Sequence, residues 1–318
     1  MFLYEIVNDK KDNHEYLEVT GYEGSVTNLV IPDEIDGIRV ESIGSHAFSA
    51  RDDIVSVQIP ETVRILRSYV FHNSRNLRKI SIHDSIDDYY DGVVRQCDSL
   101  EEVDITIDRS WFEVMRNFLA DSDRAIRFVI HDKSVTASDL DRENAGTKGI
   151  DAMLSFPGYV YDFNENTMAR TIQFSIAGAG YAYRECVDRR KIDFRQYDSL
   201  FAKAMIDGGS ICQDIAIGRL LYPLELDERF ERAYAEYVRD NGADILKRFI
   251  DLAVKDTEQM AFLGKLLEKE DKTYDLFSDK DIEKAVEYAS TKDSPAVTSL
   301  FMEKTRSVSS SNEFSFEF

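Results

Sequence analysis

The sequence predicts an α+β, multi-domain chain: a short solenoid with a parallel sheet, followed by an all-α helical-repeat domain. Three observations lead there. The first third repeats every 23 residues, since Ile54, Leu77 and Leu100 each open a short apolar run and Phe48, Phe71 and Val94 stand six residues before them. A period of this kind marks coils that cannot bury their apolar faces alone. From about residue 166 the apolar spacing turns helical. The length of 318 residues and the 43% hydrophobic content leave room for about two packed domains.

Each coil can be justified in order. Strand side chains alternate, so in IVSVQI the residues Ile54, Val57 and Ile59 point inward and Ser56 and Gln58 outward. The same frame puts Leu77, Ile80 and Ile82 inside with Lys79 and Ser81 outside, and Leu100, Val103 and Ile105 inside with Glu102 and Asp104 outside. An earlier strand has Val26, Leu29 and Ile31 inside and Asn28 and Val30 outside. Pro32 and Pro60 end two of the strands, because proline cannot donate to a ladder. The return halves run Val40 to Phe48, Val63 to Phe71 and Ile86 to Val94, the last losing the apolar pattern at Tyr90 and Asp91. A hairpin of FLYEIV and YLEVTGY covers one end. At the other, a capping box from Ser110 to Glu113 starts a short helix anchored by the lone Trp111, and AIRFVIHD adds a further strand. These elements make 1–135 the solenoid with its caps. Residues 136–165 read as a polar, glycine-bearing linker and 166–306 as helix pairs, with a first helix near 166–184. Two late pairs, 245–269 and 281–304, align at a 37-residue offset. The final SVSSSNEFSFEF, 307–318, reads as a disordered tail whose phenylalanines could form a docking peptide.

The segments GYEGSVTNLVIPDEIDGIRVESIGSHAF (21–48) and IVSVQIPETVRILRSYVFHNSRNLRKISI (54–82) resemble the BspA-type leucine-rich repeat. The resemblance implies a curved right-handed solenoid with a parallel sheet on its concave side, here of about four coils. It also implies binding, since known members are often surface or secreted proteins of bacteria and some protists. The late helix pairs resemble a divergent ankyrin-like repeat that lacks the T-P-L-H signature.

A net charge of −21, acidic in both halves, excludes a basic surface for nucleic acid and disfavours an anionic membrane. The N-terminus has no basic n-region, and no apolar run is long enough to span a bilayer, so a cytoplasmic location is expected, or a secreted or surface one if a leader has been removed. The three cysteines, Cys97, Cys186 and Cys212, do not suggest a disulfide framework. None of the five histidines shares a local metal-binding spacing with another, so no metal or cofactor is expected. Cys97, equivalent in the repeat to Ser74, reads as a small buried corner residue. The lone G-x-G in GAGYAY (178–183) reads as close helix packing, and Asp279 and Asp281 as helix-start carboxylates.

These features favour a non-catalytic protein-protein interaction scaffold. Its expected binding residues are Asn28, Val30, Ser56, Gln58, Lys79, Ser81, Glu102 and Asp104, and its expected partner is a protein or an amphipathic peptide with a basic end. A surface or secreted adhesin-like protein is the first alternative. An enzyme with its site in the helical domain or the interdomain cleft is the second, although no catalytic constellation is evident.

Overall fold

The computed structural model describes residues 1–9, 14–132, 150–166, 171–273, 275–292 and 294–302. The tail 307–318 and part of the expected linker, 136–149, lie outside them. The chain forms two compact units, Met1–Ile215 and Ala216–Phe318.

The first unit opens with the expected antiparallel hairpin, β1 (Phe2–Asn8) on β2 (Glu15–Tyr22). The outgoing strands β3 (Asn28–Val30), β6 (Ser56–Gln58), β8 (Lys79–His83), β10 (Glu102–Ile107) and β11 (Ile126–Asp132) pair in parallel, in that order. Val57, Ile80 and Val103 lie opposite one another at 1%, 0% and 0% exposure, which fixes the inward frame read from alternation. The return halves make a second sheet. In it β2, β5 (Ile38–Ile43), β7 (Ile65–Leu66) and β9 (Asp88–Tyr89) run parallel, with β4 (Glu34–Ile35) turning back onto β5. Val40, Val63, Ile86, Phe48, Phe71 and Val94 fill the space between the sheets. The rings of Phe48 and Phe71 stack at 5.7 Å and 13°.

The third return half keeps its coil despite its altered sequence. Tyr89 stands in register with Leu66 and Ile43. Its ring meets Phe118 edge-on at 5.8 Å, and its hydroxyl donates to Asp121 at 2.7 Å. The apolar pattern is therefore adapted to the cap rather than lost. The coil corners repeat as well. Ser74 Oγ donates to the Phe48 carbonyl at 2.7 Å, and Cys97 Sγ to the Phe71 carbonyl at 3.0 Å.

Two positions per return half adopt a left-handed backbone: His46, Tyr69 and Gly92 in one column, Ala50, Asn73 and Gln96 in the other. At Gly92 an added Cβ would lie 2.5 Å from the Tyr69 ring. Gly92→Ala should therefore destabilise the unit by about 1–3 kcal/mol, read from urea unfolding, because strain at positive φ adds to displacement of that ring.

Helix α1 (Glu113–Asp121) closes the solenoid, but the expected capping box does not form. The helix starts after Phe112, and Ser110 has φ +52°, whereas an N-cap needs extended backbone. Glu113 instead meets Arg189 at 2.7 Å. The stretch 150–177 differs from the linker and helix expected of it. Strand β12 (Ala152–Phe156) adds antiparallel to β11, and β13 (Val160–Asn166) and β14 (Thr171–Ala177) form a separate hairpin. The first helix after them, α2 (Gly180–Arg184), begins where Gly180 leaves no room for a Cβ, 2.2 Å from the Pro157 carbonyl. Helices α3 (Phe194–Ser199) and α4 (Phe201–Asp207) follow, and Tyr197 hydrogen-bonds both the N–H and the carbonyl of Ser155 on β12.

Helix α5 (Ser210–Leu221) leads into the second unit, which contains α6 (Glu228–Asp240), α7 (Gly242–Ala253), α8 (Thr257–Thr273), α9 (Asp279–Ser290) and a helical segment 295–302. Helices α7 and α9 begin and end 37 residues apart, the helical repeat read from the sequence. Helix α7 packs on both α8 and α9. Tyr288 of α9 donates to Asp251 of α7 at 3.0 Å. Ser278 and Asp281 form a reciprocal capping box on α9, the role its acidic start suggests. No helix among the described residues is long and apolar enough to cross a membrane.

Candidate functional site

The eight outward residues fall into two columns on one face of the solenoid. Parallel register aligns Asn28, Ser56, Lys79 and Glu102 in one column and Val30, Gln58, Ser81 and Asp104 in the other. Alternation about the buried Leu29–Val57–Ile80–Val103 row places both columns on the same side. Exposure falls along the face. In the second column Val30 is 55% exposed, whereas Val129 on β11, its counterpart further along, is 5% exposed.

The columns differ in chemistry. The second lines a cleft of about 360 Å³ together with Asp33, Pro60, Ile82, His83 and Thr106. Val30, Gln58, Ser81 and Asp104 are thus brought together, while Asn28, Ser56, Lys79 and Glu102 are not part of its lining. The first column is satisfied internally. Ser56 Oγ donates to Asn28 at 2.7 Å, and Glu102 sits between Lys79 at 2.8 Å and Arg127 at 2.5 Å. Burial works to raise the Glu102 pKa, but the Arg127 and Lys79 charges outweigh it and hold the carboxyl below its ordinary value.

Two residues of this face were missed in the sequence: Arg127 and His131, which meets Asp104 at 3.0 Å. The signal was present, because the Ile126–Phe128–Ile130 alternation directs Arg127 and His131 to the outward side. Reading that segment only as a cap obscured it. The charge step from Lys79 to Glu102 and Asp104 is therefore largely compensated by partners from β11.

The cysteines present no activated thiol. Burial pushes Cys97 and Cys186 up to about 12 and raises Cys212.

Residues 21–134 match the family model of the BspA type leucine rich repeat region, in six copies. No curated protein matches the chain. Among solved structures it is similar to a leucine-rich repeat protein from Bacteroides ovatus ATCC 8483, at 23% identity and a TM-score of 0.29, over 33% of this chain and 30% of that one. It is also similar to a leucine rich cell surface protein from Faecalibacterium prausnitzii A2-165, at 21% identity and 0.28, over 34% and 37%. A third similarity is to the T. pallidum leucine rich repeat protein, at 21% and 0.22, over 32% and 68%. The chain thus spans about a third of the length of the first two structures.

Proposed function

We propose that this chain, whose residues 21–134 carry a BspA-type leucine-rich repeat region, is a non-catalytic interaction scaffold that offers the face of β3, β6, β8 and β10 to a protein or peptide. The observation that carries this reading is the cleft of about 360 Å³ lined by Val30, Gln58, Ser81 and Asp104. Its polar groups are mostly uncharged, it has an apolar edge at Val30, and Asp33 and Asp104 supply acidity. A short extended segment with apolar and amide-rich positions and one basic end suits such a lining. The small face suits weak binding, at the low end of specific interfaces.

The experiment must leave the internal ion pairs intact. Reversing Glu102 would bring three cations together beside Lys79 and Arg127 and confound folding with binding. Ser81→Arg combined with Gln58→Arg fills the cleft without removing an ion pair. Compared with wild type in pull-downs from the native extract, with circular dichroism as the folding control, this variant is expected to lose the captured partner, at a cost of tenfold or more for about 1.4 kcal/mol of lost contact. Retention of every partner at undiminished affinity would assign the face a structural role only.

A further inference from the structure

At the lip of the same face, three side chains from successive coils converge. Glu61 follows β6, His83 ends β8 and Asp108 follows β10. Their ligand atoms all lie within 4.8 Å of one another. We propose that Glu61, His83 and Asp108 form a binding site for a divalent transition-metal ion of the zinc class, clamping three adjacent coils.

The solenoid itself creates the convergence. Parallel strands in register lie about 4.8 Å apart, so residues at the same station of consecutive coils stack at that spacing. The three ligands are 22 and 25 residues apart in sequence, which is why no local metal motif exists. One imidazole and two carboxylates form a mixed nitrogen and oxygen set. That set favours zinc, cobalt or nickel over magnesium or calcium, which prefer all-oxygen cages. Metal–ligand bonds of about 2.0–2.2 Å require the ligand atoms to close by about 1 Å. Glu61 and Asp108 are exposed and can swing to do so.

A second, independent observation points the same way. His83 Nδ1 is buried and has no hydrogen-bond partner. Buried polar nitrogens are ordinarily satisfied, and a ring held with one nitrogen orphaned beside two carboxylates is the arrangement a cation completes. The acidic chain, at −21, also concentrates divalent cations near its surface. Three protein ligands leave coordination positions for water or for an oxygen or nitrogen donor from a bound segment.

The test uses the full chain, stripped with chelator and dialysed. Cobalt(II) is titrated by visible absorption and zinc by calorimetry, with thermal unfolding in parallel. Wild type is expected to bind one cobalt per chain saturably and to melt at higher temperature with zinc. His83→Gln should abolish the saturable phase, and Glu61→Gln should weaken it by more than about tenfold. Glu61 is exposed, so that variant keeps the test decisive should His83→Gln fail to fold. Absence of saturable cobalt binding, or binding unchanged in either folded variant, overturns the proposal. The latter outcome would mean diffuse attraction to surface carboxylates.

Discussion

Replacing Arg184 with leucine is expected to destabilise the first unit by about 3–5 kcal/mol, because several carbonyls would lose their donor together. The guanidinium is buried and binds only neutral acceptors in the observed set: Leu119 at 3.0 Å, Ser122 at 3.0 Å, Arg124 at 2.7 Å, Pro157 at 2.6 Å and Gly180 at 2.9 Å. The Tyr159 ring lies 4.8 Å from its centre. Leu119 and Ser122 are at the C-terminal end of α1, where a cation also offsets the helix dipole. Burial lowers the Arg184 pKa to about 10, which still leaves the group charged at neutral pH. Lysine at this position should recover only part of the loss, since one ammonium cannot match five donors in a planar fork. Trp111 is the sole tryptophan and lies in this unit, so its fluorescence in urea reports the transition without interference from the second unit. A loss below about 1 kcal/mol would show that water replaces the guanidinium at little cost.

Phe71→Ala should cost a comparable amount, about 3–5 kcal/mol, through cavity formation. Phe71 is fully buried, stacks on Phe48 and lies between the two sheets, where rigid strands on both sides limit collapse into the space. Its backbone is held at both ends of the residue. The N–H donates to the Val93 carbonyl at 2.9 Å, and its own carbonyl accepts from Cys97 Sγ at 3.0 Å. Phe71→Leu, which keeps most of the volume, should lose distinctly less by the same fluorescence measurement. Equal losses for the two variants would place the effect in the ring stack rather than in the cavity.

Much of the solenoid was legible because its physics is periodic. Burial on one side of every outgoing strand forces the apolar residues into fixed stations, and Val57, Ile80 and Val103 announce this 23 residues apart. The return sheet was harder to see, because strands as short as Ile65–Leu66 show no alternation. The left-handed stations were invisible, since His46 and Tyr69 occupy them without the glycine that would signal them. Tyr89 looked like decay because its neighbour Asp121 is distant in sequence. At 171–177 the alternation of Ile172, Phe174 and Ile176 was a strand signal, overridden by the helical pattern that follows. On the candidate face the outward positions were legible, but their electrostatic partners were not. Arg127 and His131 belong to the next coil, and only the stacked register brings them to Glu102 and Asp104. The Glu61, His83 and Asp108 cluster escaped for the same reason, as columns across coils leave no short motif.

The antiparallel strands at the ends of the two sheets have a consequence for how such a chain can change length. One sheet is closed by β1 on β2 and the other by β12 on β11. Between these closures, register, corner hydrogen bonds and left-handed stations all recur with the same step. Growth or shrinkage by one whole coil keeps each residue facing as before. A gain or loss of any other size turns inward residues outward along every later strand. Length in this region is therefore quantised, with the two ends inherited intact and only the number of identical steps between them free to drift.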